Sequence, residues 1–215
     1  MTERLNIIFE NIPLCEVFAD VGCDHGYIAK AMLKSGKAQK VIASDISAKC
    51  LQKAKDGLAE EISQNKAECV VSNGFENIPF CDCALVAGMG GEEIISIIES
   101  AKSLPNTLVL QPMKNCDKVR LCAVRAGYKI EKDFVFKSAG KFYDLIVLIK
   151  GKDLLTDDEV EFGRTNLTQK GQAFVERIRV ELSKLEKYSI KTDINEKVRA
   201  EMLDRMEKLK KHVRV

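Results

Sequence analysis

The sequence predicts an α/β fold: a seven-stranded, mostly parallel sheet ending in an antiparallel strand pair, then a helical hairpin. Three observations predict it. Short runs rich in valine and isoleucine alternate with helical stretches as far as about residue 150. Those runs lack strict polar alternation, the mark of strands buried on both faces of a parallel sheet. After Gly151 glycine and strand-like runs nearly vanish, and apolar residues recur every three or four positions, the spacing of one helix face.

In chain order the expected strands are 17–21, 41–44, 68–72, 84–87, 107–110, 129–136 and 142–149, with helices over 27–35, 48–59, 92–101 and 117–126. Only residues 137–141 separate the last two strands, which therefore pair as an antiparallel hairpin. Beyond them, Phe174, Ile178, Leu182 and Leu185 mark one amphipathic helix, and Ile194, Val198, Met202, Met206, Leu209 and Val213 mark a second. Lys191, Thr192 and Asp193 make the turn between them, with Asp193 able to cap the second helix. Two such helices form an antiparallel hairpin. The expected division is a ligand-binding catalytic domain over 1–152 and a helical, coiled-coil hairpin over 153–215.

The 215 residues carry 34 Lys and Arg against 32 Asp and Glu, so composition alone does not announce a nucleic-acid binder. Residues 151–215 hold 15 basic and 13 acidic side chains, which suits either the solvated faces of a packed hairpin or a face that touches RNA. Lys30, Lys34, Lys37 and Lys40 trace one basic flank, and Lys114, Lys118, Arg120 and Arg125 another. Either group is solvated or grips RNA. No apolar stretch reaches the roughly 18–20 residues of a membrane span, and the first residues lack the pattern of an export signal. A cytoplasmic protein without a membrane partner is expected, and no obligate protein partner is evident. The eight cysteines sit mostly among apolar residues, as reduced core thiols do. Cys81-Asp82-Cys83 is read as the entrance to a strand. No Cys-x-x-Cys pairs with another, and His25 and His212 stand apart, so no metal is expected.

The chemistry concentrates after the strands. Asp20, Gly22, Asp24, His25, Gly26 and Tyr27 follow the first apolar run, and Asp45 ends the second, 23 residues after Gly22. Gly22 permits a tight turn and close approach of backbone to ligand. The helix behind it offers unpaired N–H groups that favour negative charge. A dinucleotide fingerprint would have glycine where Asp24 stands. A carboxylate there repels a pyrophosphate, whereas Asp20 and Asp24 suit the sulfonium and ammonium of S-adenosylmethionine. Asp45 is placed to accept hydrogen bonds from ribose hydroxyls, or else to cap the next helix. Asn73 and Gly74 follow the third strand, either at an adenine edge or as a plain Asn-Gly turn. Gly88, Met89, Gly90 and Gly91 follow the fourth, where small residues admit a flat base or simply open a helix. Gln111 and Pro112 end the fifth strand and border the same cleft. All these segments lie at the carboxyl ends of parallel strands, where open α/β sheets bind ligands.

Together, Asp-Val-Gly-Cys-Asp-His-Gly-Tyr at 20–27, Ala-Gly-Met-Gly-Gly at 87–91, Leu-Gln-Pro at 110–112 and Lys-Phe-Tyr-Asp at 141–144 resemble the bacterial tRNA (adenine-N1)-methyltransferases of the TrmK type. These modify the adenine at position 22 of certain tRNAs. The resemblance implies a class I (Rossmann-like) methyltransferase fold with a coiled-coil tail, S-adenosyl-L-methionine as cofactor and tRNA as partner. It carries cofactor contacts to Asp20, Gly22, Asp45, Asn73, Gly74, Gly88 and Met89. Family members often have aspartate where Asn73 stands.

In the reaction so implied, adenine N1 displaces the thioether at an already activated methyl group, so positioning and exclusion of water matter most. Attack builds positive charge on the ring. Asp24 is the candidate to stabilise it or to accept a proton from the exocyclic amine. His25 either borders the base or caps its helix, and Tyr27 either stacks on the base or belongs to the core. Gly90, Gln111 and Pro112 are the candidate substrate contacts. N1 lies on the Watson–Crick edge, so a paired adenine must be extruded first. Alternatives are methyl transfer to another RNA, a protein or a small molecule, an NAD-dependent oxidoreductase, and a non-catalytic binding module.

Overall fold

The computed structural model describes residues 1–190 and 195–213. The turn expected at Lys191, Thr192 and Asp193, with its cap, and Ile194 lie outside the described residues. The chain opens on a helix the sequence pattern does not announce, α1 (Glu3–Glu10), whose first turn is capped by Thr2 Oγ1 accepting from the Leu5 N–H. Eight residues are too few to hold a helix by propensity. Ile8, with Ile12 just beyond it, secures it by packing among Phe18, Ile28, Met32 and Leu145.

The elements β1 (Cys15–Val21), α2 (Tyr27–Lys34), β2 (Ala38–Asp45), α3 (Ala48–Gly57), α4 (Ala59–Ser63), β3 (Ala67–Val71), β4 (Cys83–Met89), α5 (Gly91–Ser100), β5 (Thr107–Pro112), α6 (Cys116–Arg125), β6 (Tyr128–Ser138) and β7 (Lys141–Lys150) follow. They build one seven-stranded sheet in the order β3-β2-β1-β4-β5-β7-β6. Strands β3, β2, β1, β4 and β5 are parallel, and β7 runs antiparallel between β5 and β6. The expected parallel run and terminal hairpin are present, with the last strand inserted inside the sheet. The helix expected over 48–59 divides at Leu58 into α3 and α4.

Side chains alternate across the sheet. Phe18 enters one core with Val41, Leu85 and Val109, and its neighbour Ala19 enters the other with Val86, Ile94 and Leu110. The chain leaves β1 for β2 on one side and returns to β4 on the other. Their carboxyl ends therefore flank the crevice where such sheets take ligands. Strand β4 extends past the expected end at 87. A register shift between Ala87 and Met89 lets the ladder resume with Met89 opposite Pro112.

Four helices complete the described chain: α7 (Asp157–Phe162), α8 (Arg164–Gln169), α9 (Gln172–Ser189) and α10 (Glu196–Val213). The sequence pattern does not announce the short α7 and α8. Helix α8 covers the open edge of β6: Asn166 Oδ1 accepts from the Val135 N–H at 2.9 Å, and Thr165 Oγ1 from the Asp133 N–H at 2.9 Å. Phe174, Ile178 and Leu182 of α9 and Met206 and Leu209 of α10 close a third core over Val135 and Phe162, with Leu185 and Val213 at its margin. Val198 is instead exposed.

The expected basic flanks are corrected in part. Arg120 is wholly buried, donating to Asp133 Oδ2 at 2.8 Å and to the Val160 and Glu161 carbonyls, so it ties α6 to β6 and α7. Lys37 caps the end of α1 through the Phe9, Glu10 and Ile12 carbonyls. Lys118 pairs with Glu92 at 2.6 Å. All eight cysteines are free thiols. Asp82, between two of them, accepts the Val17 N–H just ahead of β4.

Candidate active site

The crevice between β1 and β4 contains a cleft of about 370 Å³ lined by Gly22, Asp45, Asn73, Gly74 and Met89, together with Ile46, Ser72, Glu93, Ser96 and Ile97. Larger hollows of about 520 and 550 Å³ lie beside β3, but none of the motif residues lines them. The cradle residues meet because each ends a parallel strand. The Gly22 and Cys23 N–H groups both donate to the Ser44 carbonyl, at 2.8 and 2.9 Å, which curls the chain over the end of β2. Gly22 sits at φ +74, and a Cβ there would fall 2.0 Å from Met89 Cε. The left-handed turn favours glycine, and a side chain there would have to displace the end of Met89.

Asp45 joins two loops. Its Oδ1 accepts from the Ser47 N–H at 2.8 Å and its Oδ2 from the Asp24 N–H at 3.3 Å. Ser47, not Asp45, caps α3 through the Cys50 N–H. Asp20 is buried two residues before Gly22, with Oδ2 accepting the Ala29 N–H of α2 at 3.3 Å. Burial pushes its carboxyl up to about 7, the Ala29 N–H opposes this, and the Asp45 charge adds to it. Burial likewise raises the neighbouring Cys23 thiol, so it stays protonated.

Asp24 occupies left-handed backbone at φ +47, a strained conformation held open by its hydrogen bond to Asp45. Its carboxylate is exposed, 3.3 Å from Lys53 Nζ and 3.4 Å from His25 Nε2. The His25 and Tyr27 rings stack with centroids 5.1 Å apart and planes 11° from parallel. Tyr27 is 54% exposed, so the ring lies on the surface rather than in the core. Asp24, His25 and Tyr27 form one cluster beside the cleft, outside its lining.

The second group gathers at the ends of β4 and β5. Gln111 is fully buried; its Nε2 donates to the Pro112 carbonyl at 3.0 Å, and its Oε1 accepts from Arg4 Nη1 at 2.6 Å. Gln111 is therefore held beneath Arg4, and neither side chain lines the cleft. Gly90 caps α5 by its backbone, and Gly91 has no room for a Cβ, which would lie 2.4 Å from the Lys114 carbonyl oxygen. In the 141–144 motif Tyr143 lies under Arg4, with the guanidinium carbon 5.7 Å from the ring centroid. Asp144 accepts from Arg177 of α9 at 2.7 Å and fastens the tail.

The sequence pattern missed Arg4, Lys53, Glu93, Ser96 and Ile97. Each reaches the site from another element through tertiary packing. Among the described residues no three His, Cys, Asp or Glu side chains converge as a metal site. No helix among them is long and apolar enough to cross a membrane.

The family model described as a methyltransferase domain matches residues 1–146, more than half of the chain. The tRNA (adenine(22)-N(1))-methyltransferase of Bacillus subtilis is 28% identical over 98% of this chain and 95% of its own. The crystal structure of the B. subtilis M1A22 tRNA methyltransferase TrmK superposes with a TM-score of 0.83 and 25% identity, over 100% of this chain and 99% of that one. A Streptococcus pneumoniae protein solved in complex with S-adenosyl-L-methionine superposes with a TM-score of 0.88 and 24% identity, over the full length of both chains.

Proposed function

The chain belongs to the methyltransferase-domain family, and from that premise we propose that it transfers the methyl group of S-adenosyl-L-methionine to N1 of the adenine at position 22 of tRNA, as a TrmK-type enzyme. One observation carries the reading: the cleft at the strand switch is acidic, with Asp45 and Glu93 in its lining and Asp20 buried behind Gly22. A pyrophosphate would meet carboxylates there; a sulfonium or ammonium finds partners. The names of the B. subtilis relatives and the ligand of the S. pneumoniae structure support the same reading.

The residues present fit the donor. Asp45, at the end of β2, holds the ribose hydroxyls with the oxygen lone pairs that its two backbone contacts leave free. Asn73 and Gly74 flank the adenine edge, and Ile46, 69% exposed at the rim, covers its face. Met89 shapes the opposite wall, and Gly88 precedes it at the bulge of β4. When bound, the donor supplies a methyl group already activated by positive sulfur. The protein's work is then to orient the acceptor base and exclude water.

On the acceptor side Asp24 stabilises the positive charge that methylation places on the adenine ring, or accepts a proton from its amine. Lys53 stands 3.3 Å from that carboxylate. The exposed His25–Tyr27 stack is a platform for an extruded base. Gly90 and Pro112 leave that side free of bulk. We place the catalytic domain at 1–152 and the helical appendage at 153–215. Incubation with methyl-labelled S-adenosylmethionine and unmodified tRNA, protein or small-molecule acceptors tests the reading. Label in tRNA supports it, and label only in other acceptors removes it.

A further inference from the structure

Arg4 stands at the ends of β4 and β5 with no carboxylate paired to it among the described residues. Lys53 pairs with Asp24, Lys118 with Glu92, Lys30 with Glu61, and Arg120 is buried against Asp133. Arg4 instead is half-buried among neutral groups: Gln111 Oε1 at 2.6 Å, Met113 Sδ at 4.0 Å and the Tyr143 ring. Among the described residues its Nη2 and Nε have no hydrogen-bond partner.

The surroundings fix where those free groups stand. Thr2 caps α1 and sets its first turn, which carries Arg4. Gln111 cannot turn away, because its amide nitrogen is held by the Pro112 carbonyl. A Cβ at Gly88 would sit 3.5 Å from Arg4 Nη1, so the guanidinium lies against the bulged end of β4. The result is a planar, permanently charged fork at the carboxyl ends of β4 and β5. A guanidinium held by neutral acceptors keeps its full demand for an anion, and its geometry matches a phosphate.

We propose that Arg4 holds a backbone phosphate flanking the target adenine, with Gln111 and Tyr143 as positioning residues that orient it. The inference deepens the reading above and rests on the acceptor being RNA. An RNA acceptor brings anions to this edge only as phosphates. Extruding a base from its helix swings the adjoining phosphodiester toward the catalytic pocket. A fixed cation there would hold the opened strand without contacting the base.

The test is tRNA affinity against salt for the full-length wild type, Arg4→Gln and Arg4→Lys, with S-adenosylhomocysteine calorimetry on each. Arg4→Gln should weaken tRNA binding several-fold and flatten the slope of log affinity against log salt by about 0.7–0.9, the signature of one lost phosphate contact. Arg4→Lys should keep the slope, and all three proteins should bind S-adenosylhomocysteine equally. Should Arg4→Gln fold poorly, a tRNA with neutral methylphosphonates flanking the target replaces it. That tRNA should bind wild type several-fold more weakly than the native one. A wild-type slope in Arg4→Gln, or undiminished wild-type binding of the neutralised tRNA, overturns the inference. If wild type still methylates tRNA in that case, the proposed function stands and only the role of Arg4 falls. If wild type transfers no methyl group to tRNA, both fall.

Discussion

The Asp45 carboxylate accepts the backbone N–H of Asp24 at 3.3 Å, joining the acid at the end of β2 to the loop that follows β1. In the proposed function one side chain thereby serves donor binding and loop geometry together. Asp45→Ala is expected to weaken S-adenosylhomocysteine binding by roughly 1.5–3 kcal/mol, the worth of a hydrogen bond to a charged group. It should also lower the single-turnover rate at saturating donor, because the left-handed Asp24 loses its tether. Calorimetry reads the first effect and rapid quench the second. Unaltered affinity would take Asp45 out of the donor site.

Asp20 gives the site a pH dependence. Its folded-state pKa is raised to about 7 from an ordinary 3.8, chiefly by burial. The native state thus holds this proton more tightly than the unfolded chain. The stability it contributes is present at acid pH and lost as pH rises from about 4 to about 7. Asp20→Asn should therefore raise the melting temperature more at pH 8 than at pH 5. In the proposed function the ionised form pairs with the cationic donor, so wild-type donor affinity should climb about tenfold from pH 6 to pH 8. Asp20→Asn should show a flat profile, and an equally steep one would assign the effect elsewhere.

Asp24 stands away from the cleft lining yet beside His25 and Lys53. Asp24→Asn removes its charge and keeps its shape. Donor binding should persist while methylation slows about tenfold or more, within the usual worth of an acid–base or charge-stabilising group. Wild-type turnover in this variant would exclude Asp24 from the chemistry.

Arg120 makes a structural prediction. It is fully buried between Asp133, at 2.8 Å, and Asp144, at 3.6 Å, and a Cβ on Gly163 would fall 2.5 Å from Asp133 Oδ2. Arg120→Ala leaves the buried Asp133 carboxylate without its ion-pair partner and should cost about 3–5 kcal/mol. For a chain of this size that is a fall of about 10 °C in melting temperature. A change within about 2 °C would show that the cluster relaxes freely.

What was legible in the sequence was local. Asp20, Gly22 and Asp45 announce themselves because a strand end, a turn and a fixed interval put them on one edge, and the hairpin of β6 and β7 follows from the five residues between the expected strands. The tail helices showed through Phe174, Ile178 and Leu182 at helical spacing. What stayed hidden depends on contacts distant in the chain. Arg4 reaches Gln111 across 107 positions and Lys53 reaches Asp24 across 29. Helix α1 is too short for its periodicity to register. Arg120 read as one of a surface row because nothing local distinguishes a buried arginine from its exposed neighbours. Its partners Asp133 and Asp144 lie on later strands.

The most direct test maps the methylated nucleotide after purified protein acts on unmodified tRNA with S-adenosylmethionine. Mass spectrometry of nuclease fragments should find one N1-methyladenine, at position 22, and none in a tRNA with guanine there. Methylation at another site, or equal transfer to the guanine-substituted tRNA, would contradict the account.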